Sequence, residues 1–366
     1  MPVQMTLKKI DGKPGKVYYP LQLKEVPLPT PGPKELLIRL NAAALNHRDL
    51  FIRQHLYPGI SFTHPLLADG HGTVEQAGPQ CTRSHLTKAG THVLLAPARG
   101  WIAHPDGPED LSAYSVIGAT ERYDAGMAQE FIVCSEEDVE PAPAHLSAVE
   151  GAALPLAGLT GWRALVTKTG PNAAPGRNIL VTGIGGGVAL QVLQFAVALG
   201  CNVWVTSGDK EKIEKAVKMG AKGGVSYREK DWDKTLLKQL PKDRPFLDAV
   251  IDGAGGDIVA KSTRLLKAGG IISQYGMTVS PKMDWSMQAV LKNIELKGST
   301  MGSREEFRQM VRFVQEKQIR PVISKVVKGL RNTEGIDGLF ADMKDGKQFG
   351  KLVIDISSEA GPSFKL

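Results

Sequence analysis

Glycines occupy four of the five positions 183–187, between an apolar run and a stretch of helical periodicity. Glycine lets the backbone turn sharply and approach a pyrophosphate, and a helix that starts near Val188 offers unpaired N–H groups and the positive end of its dipole. The strict G-x-G-x-x-G pattern fails at Val188, but Gly183-x-x-Gly186-x-x-Ala189 fits a looser spacing. The pattern predicts a dinucleotide-binding turn, with a plain flexible turn as the alternative, and its contacts are expected from Gly183, Gly186, Gly187 and Val188.

The end of the next strand, Asn202–Ser207, decides which dinucleotide such a turn binds. An acidic residue there would accept hydrogen bonds from the adenosine ribose of NAD and would repel a 2′-phosphate. The strand ends in Ser207 instead, and Lys210, Lys212 and Tyr227 can add positive charge and a phenol. We therefore predict NADP(H), while the alternative is that Asp209 binds the ribose of NAD(H).

The elements that hold this turn belong to a segment from about 152 to 302, in which apolar strands alternate with helical stretches. Strand candidates separated by helices indicate a parallel, doubly wound sheet that is covered on both faces. The expected strands lie at 178–182, 202–206, 247–251 and 270–275.

The flanking segments have a different character. Residues 1 to about 150 are rich in proline and glycine and contain short apolar stretches at 35–40 and 91–95, as in a β-barrel-like domain. Beyond Ser303 an amphipathic helix precedes two strand candidates, at 321–327 and 351–355, which could rejoin the first domain.

Composition narrows the class of protein. The 366 residues carry a net charge of +7, but lysines alternate with acids in 209–215 and 227–234, which is typical of solvated helix faces and argues against a nucleic-acid partner. Three scattered cysteines predict reduced thiols. Without an apolar run of membrane-spanning length or a signal-peptide core, the chain is expected to be cytoplasmic, with no membrane partner.

Five separated motifs carry a family resemblance, and they begin at Pro27, Asn46, Leu154, Gly298 and Gly346. With these motifs in this order, the chain resembles the medium-chain dehydrogenase/reductase superfamily, and specifically its zinc-lacking, quinone oxidoreductase-like branch. The resemblance implies a GroES-like catalytic domain formed by residues 1–151 and 303–366, a Rossmann NADP-binding domain at 152–302, and an active site in the cleft.

The resemblance also assigns site residues. Asn46 would lie near the nicotinamide, where it could orient the ribose or donate to the substrate, and Thr160 would contact the nicotinamide ring. Gly276 and Lys351 are also assigned to the cofactor site. Tyr57 matches a pocket tyrosine whose phenol could stabilise charge on a substrate oxygen, although it could equally be a loop residue that stacks before Pro58.

Zinc-containing relatives hold their catalytic metal with a Cys, a His-Glu pair and a second Cys, and these positions correspond here to Asn46, Ala68, Asp69 and Leu156. No thiol or imidazole remains, so we predict no metal. The region that would bind structural zinc, near 91–120, contains no cysteine. Five of the eight histidines could suggest metal ligands but are interpreted as surface or hydrogen-bonded loop residues, namely His47, His55, His64, His71 and His104.

These features together predict an NADPH-dependent, zinc-independent oxidoreductase that transfers a hydride to a small electrophilic substrate, a quinone or an activated enal or enone. A trans-acting enoyl reductase of fatty or polyketide metabolism is an alternative. So is an NADPH-binding structural or regulatory protein that touches RNA. The apolar strand candidate at 293–298 would lie at an open sheet edge, which predicts a homodimer.

Overall fold

The computed structural model describes residues 1–280 and 282–357, which form two compact units. One unit consists of Met1–Leu156 together with the described chain from Ser303 onward, and the other is Ala157–Gly302. The first boundary lies a few residues beyond the expected one at 151, within the helix that leads out of the first unit.

The N-terminal part of the first unit is mainly β-structure, in which strand β3 supplies the most buried surface. Its strands are β1 (Val3–Leu7), β2 (Leu21–Glu25), β3 (Glu35–Ala44), β4 (Asp69–Ala77), β5 (His92–Leu95), β6 (Ala98–Arg99), β7 (Ser115–Val116), β8 (Phe131–Ser135) and β9 (Val139–Pro141). Its helices are α1 (His47–Arg53), a 3-10 turn (Glu136–Asp138) and α2 (Ala148–Ala152).

The second unit alternates strands and helices as the sequence predicts. Helix α3 (Pro155–Trp162) leads into it and continues in a π-helical turn (Arg163–Thr167) and a 3-10 turn (Gly170–Asn172). The strands are β10 (Asn178–Val181), β11 (Asn202–Ser207), β12 (Gly223–Ser226), β13 (Leu247–Asp252), β14 (Leu266–Gln274) and β15 (Glu295–Gly298). The helices are α4 (Gly187–Ala198), α5 (Lys210–Lys218), α6 (Trp232–Leu237), α7 (Ile258–Leu265) and α8 (Met287–Leu291).

All described strands of this unit pair in parallel, in the order β12-β11-β10-β13-β14-β15. This order reverses direction at β10, where the glycine-rich turn follows, and such a reversal is where open α/β sheets bind ligands. A core of buried side chains that includes Leu180, Trp204 and Val250 supports the sheet. The predicted doubly wound fold is confirmed, but β12 was missed because its sequence, Gly-Gly-Val-Ser, has almost no apolar content.

The C-terminal segment completes the sheet of the first unit, which confirms that both chain ends build it. Its elements are α9 (Arg304–Lys317), β16 (Ile323–Lys328), α10 (Thr333–Lys344) and β17 (Lys351–Asp355). Ser303 caps α9 in a capping box with Glu306. Strand β17 is inserted between β16 and β3 in the order β16-β17-β3-β4-β5-β9, with β8 also paired to β3. No helix within residues 1–280 and 282–357 has the length and apolar character needed to cross a membrane.

Candidate active site

Three strand ends of the first unit bring Asn46, Asp69 and Lys351 together. Asn46 follows β3 and precedes α1, Asp69 begins β4 as the partner of Ala44, and Lys351 begins β17. The backbone N–H of Leu45 donates to the carbonyl of Leu352, so the start of β17 lies beside the end of β3. Because these residues are far apart in the chain, only the sheet pairing makes them neighbours.

The Lys351 ammonium is the centre of this cluster. Its Nζ lies 2.7 Å from the Asn46 Oδ1, 2.7 Å from the carbonyl oxygen of Leu45 and 2.8 Å from the Asp69 Oδ2. Asp69 also accepts from the Asn46 Nδ2 at 2.9 Å and from the backbone N–H of Leu156 at 2.7 Å. Asp69 has no exposed surface and Lys351 is 4% exposed, so this is a buried ion pair with satisfied hydrogen bonds.

These residues do not fit a catalytic zinc ion. Such a site needs three protein donors drawn from thiolate, imidazole and carboxylate groups, plus one open position. Of the four positions that correspond to zinc ligands, only Asp69 carries such a donor, and it is already paired with an ammonium. Within residues 1–280 and 282–357, no group of three or more His, Cys, Asp or Glu side chains is placed to hold a metal ion.

Tyr57 is connected to Asn46 through two charged residues. Its half-buried ring lies 4.8 Å from the Arg48 guanidinium, which forms an ion pair of 3.0 Å with Asp49. The other oxygen of Asp49 accepts from the backbone N–H of Asn46 at 2.8 Å. Burial raises the pKa of the Asp49 carboxyl to about 6, and Arg48 opposes that shift. The ring of Tyr57 therefore stacks on Arg48, which agrees with its interpretation as a packing residue. No described residue forms a hydrogen bond with its hydroxyl.

One expectation for this unit was wrong. His71 was grouped with surface or loop histidines, yet it is buried in β4, where burial lowers its pKa to about 4 and His92 adds to the shift. Arg53, at the end of α1, forms an ion pair of 2.6 Å with Asp337 and donates to the carbonyl of Tyr19.

The glycine-rich turn of the second unit has the expected conformation. Gly183 has φ of 65° and Gly185 has φ of 121°, values that side chains rarely allow. Gly186 caps α4, and Gly187 and Val188 begin that helix. Helix α4 therefore presents its first N–H groups at the end of β10, as a pyrophosphate site requires.

Lys212 and Tyr227 lie on either side of the end of β11. A Cβ atom added to Gly185 would lie 2.9 Å from the Cδ of Lys212, so this side chain covers the turn. A Cβ added to Gly208 would lie 2.6 Å from the Tyr227 hydroxyl. Burial lowers the pKa of the Lys212 ammonium, while Asp209 opposes that shift.

Arg228 is a candidate cofactor residue that sequence reasoning missed. Its Nε would lie 2.9 Å from a Cβ on Gly208, beside Tyr227. The signal available was the arginine that follows Tyr227 directly, but β12, which ends just before this pair, had not been predicted. Ser207 is buried, and its Oγ accepts from the backbone N–H of Asp209 at 3.1 Å. Asp209 caps α5 by accepting from Glu211 at 2.9 Å, so one of its oxygens is occupied.

The remaining predicted cofactor residues, Thr160 and Gly276, lie elsewhere in the second unit. Thr160 is buried on α3 and donates to the Met301 Sδ at 3.6 Å. Gly276 follows β14 and approaches Gly253 after β13, where an added Cβ would lie 3.2 Å from the Gly253 carbonyl oxygen. Asp252, at the end of β13, is fully buried and accepts from Thr182 and Gln274. These strand ends adjoin the sheet edge that the glycine-rich turn occupies.

Comparison with known protein families gives two matches on this chain. Residues 32–144 match the alcohol dehydrogenase GroES-like domain, and residues 187–316 match the zinc-binding dehydrogenase domain. The first match falls in the unit that contains Asn46 and Asp69, and the second begins at Gly187, the last glycine of the glycine-rich turn.

Individual relatives match along nearly the whole chain. A zinc-type alcohol dehydrogenase-like protein, YogA, of Leptosphaeria maculans is 58% identical over 97% of this chain and 100% of its own length. An acryloyl-coenzyme A reductase of Sulfurisphaera tokodaii is 28% identical over 91% of this chain and 96% of its own. Among solved structures, an NAD-dependent alcohol dehydrogenase superimposes with a TM-score of 0.80 at 28% identity, over 96% of this chain and 99% of its own.

Proposed function

Because the chain belongs to the medium-chain dehydrogenase/reductase superfamily, among its zinc-type alcohol dehydrogenase-like members, we propose that it is an NADPH-dependent reductase that works without zinc. Its substrate is an activated double bond, in a quinone, an enal or an enone. The observation that carries this proposal is the Lys351 ammonium bonded to Asn46 and Asp69, at positions that correspond to zinc ligands.

The donor set supports independence from zinc, and this independence favours one substrate class. In many enzymes zinc acts as a Lewis acid that polarises the oxygen of an unactivated alcohol or ketone. A quinone or an enone is already electrophilic, so hydrogen-bond donors at its oxygen are sufficient. Although related proteins are named as zinc-type, this chain has the side chains for the second kind of reaction.

The preference for NADPH rests on the residues beside Gly185 and Gly208. Lys212, Tyr227 and Arg228 offer an ammonium, a phenol and a guanidinium, and Ser207 replaces the acid that would repel a 2′-phosphate. A solved neighbour is named as NAD-dependent, so the family does not decide the question. Asp209, the competing candidate, already uses one oxygen as a helix cap.

When bound, NADPH supplies the hydride. The residues of the chain must then stabilise the negative charge that develops on the substrate oxygen and provide a proton. The Tyr57 hydroxyl, bonded to no described residue, is the first candidate donor, and the second N–H of the Asn46 amide is another. Gly183, Gly186, Gly187 and Val188 would hold the pyrophosphate, while Thr160 and Gly276 remain proposed cofactor contacts. Lys351, which the resemblance assigned to the cofactor site, is not proposed as a contact, because its three N–H donors are bonded within the protein.

Reduction of an enoyl thioester is the second candidate. A relative that aligns with 91% of this chain is named acryloyl-coenzyme A reductase. Its substrate class, by that name, also contains a double bond conjugated to a carbonyl group, and such a bond accepts a hydride without a metal.

A substrate panel tests the proposal. Initial rates of NADPH and NADH oxidation would be compared with a quinone, a 2-alkenal, an enoyl thioester and a simple ketone. We expect turnover of at least one conjugated substrate, a preference for NADPH in kcat/KM, and no turnover of the ketone. Preferential reduction of the ketone, or a preference for NADH, would contradict the proposal.

A further inference from the structure

The ammonium of Lys351 is fully used by the protein. An ammonium group has three N–H donors and no acceptor. Three oxygen atoms lie within hydrogen-bond distance of the Nζ, on Leu45, Asn46 and Asp69. Lys351 is therefore not available to donate to a ligand without breaking one of these bonds, which makes its effect on the site an indirect one.

The same contacts determine which way the Asn46 amide faces. An ammonium can only donate, so the atom of Asn46 that meets Lys351 must be the oxygen. A carboxylate can only accept, so the atom that meets Asp69 must be the nitrogen. The two charged partners thus exclude the flipped amide, and one Asn46 N–H is left over as a donor.

We propose that Lys351 is a positioning residue that serves as a built-in cation where related enzymes hold a metal ion. It compensates the buried charge of Asp69 and fixes Asn46 as a hydrogen-bond donor toward the reacting molecule. The second part rests on the proposed reductase function, whereas the first part does not. Lys351 itself touches no reacting atom.

A stability cycle tests the first part. The variants are Lys351→Met, Asp69→Asn and the double variant, measured by thermal unfolding beside the wild type. Each single variant leaves one buried charge without its partner, so we expect its unfolding temperature to fall by roughly 5–15 °C. The double variant is neutral and should recover most of that loss. Additive losses in the double variant would overturn the proposal.

The double variant also tests the orientation of Asn46. With neutral residues at 69 and 351, the Asn46 amide can flip and present an acceptor instead of a donor. We expect this variant to remain folded while its kcat falls at least about tenfold for the best conjugated substrate. A purely structural role for Lys351 predicts that turnover recovers together with stability, and that result would overturn the positioning role.

A spectroscopic readout keeps this test independent of catalysis. The side-chain amide of Asn46, assigned by its absence in Asn46→Ala, should show one proton in wild type that is protected from exchange by the bond to Asp69. The protection should be lost in Lys351→Met/Asp69→Asn. If the protein turns over no substrate but shows this protection, the proposed reductase function is disproved while the proposed role of Lys351 as a built-in cation stands. If both amide protons of Asn46 exchange freely in the wild type, the proposed role of Lys351 is disproved.

Discussion

At the scale of single residues, the proposed role of Tyr57 is the part of the mechanism that a single substitution tests. Removal of its hydroxyl in Tyr57→Phe keeps the ring that stacks on Arg48. If the hydroxyl stabilises charge in the transition state, kcat should fall by roughly ten- to a thousandfold while NADPH affinity is unchanged. The measurement is kcat and KM for a quinone and a 2-alkenal, with NADPH binding followed by fluorescence.

Tyr57→Leu is the matched variant, because it removes the ring together with the hydroxyl. We expect it to lower both turnover and thermal stability. Unchanged kcat in Tyr57→Phe with both substrates would make Tyr57 a packing residue and leave Asn46 or solvent as the donor.

The Lys212→Ala variant tests the proposed preference for NADPH over NADH. A charge-assisted bond to a phosphate adds affinity that a hydroxyl cannot use, so Lys212→Ala should weaken NADPH binding by about tenfold and spare NADH. Lys218→Ala is the control, since it removes an equal charge from the exposed end of the same helix. An equal loss for both dinucleotides in Lys212→Ala would show that Lys212 acts through the fold of the turn it covers.

At the scale of elements, the loop after β6 is held by one carboxylate. Glu109 accepts from the backbone N–H groups of Ile102, Ala103 and His104 at 2.7–2.9 Å. These bonds, that of Ala103 first, lower the pKa of the Glu109 carboxyl from 4.5 to about 2. The loop also accepts from the first N–H groups of α9 through Trp101 and Ile102.

This shift predicts a pH dependence for the loop. A carboxyl whose pKa is lowered in the folded state stabilises it above the unfolded value, and the contribution is lost as pH falls. The difference in unfolding midpoint between wild type and Glu109→Gln should be constant above about pH 5 and should shrink from pH 4.5 toward pH 2. A difference that does not change across this range would show that the charge of Glu109 is not what holds the loop.

Sequence patterns predicted the secondary-structure elements better than they predicted which distant residues contact each other. The strands around the glycine-rich turn and the capped helix α9 have local signals, namely apolar runs, glycines and a serine cap. The family resemblance assigned Lys351 to the cofactor site, but its bonds to Asn46 and Asp69 depend on the pairing of β17 with β3 across about 300 residues. Local patterns carry no information on such pairing.

At the scale of the whole molecule, we propose a homodimer formed through β15. This strand lies at the edge of its sheet among the described strands, and apolar side chains nearby are exposed: Met287, Val290, Leu291 and Leu296 at 69%, 49%, 75% and 40%. An open edge beside an apolar surface favours pairing with a second copy. Light scattering at micromolar concentration should therefore give the mass of two chains.

Leu296→Asp should shift the protein toward the monomer, because it places a charge in the proposed interface. Leu111→Asp is the control, since Leu111 is 78% exposed and lies in the other unit. A monomeric wild type, or equal mass for wild type and Leu296→Asp, would rule out this interface without affecting the proposed reaction.

The central claim is reduction by NADPH without zinc, and turnover by metal-depleted protein tests it most directly. The protein would be treated with a chelator and desalted, its zinc content would be measured, and NADPH oxidation would be followed with the best conjugated substrate, with and without added zinc. We predict negligible bound zinc and the same kcat in every sample. One zinc per chain, with turnover that is lost on chelation and restored by zinc, would contradict the account.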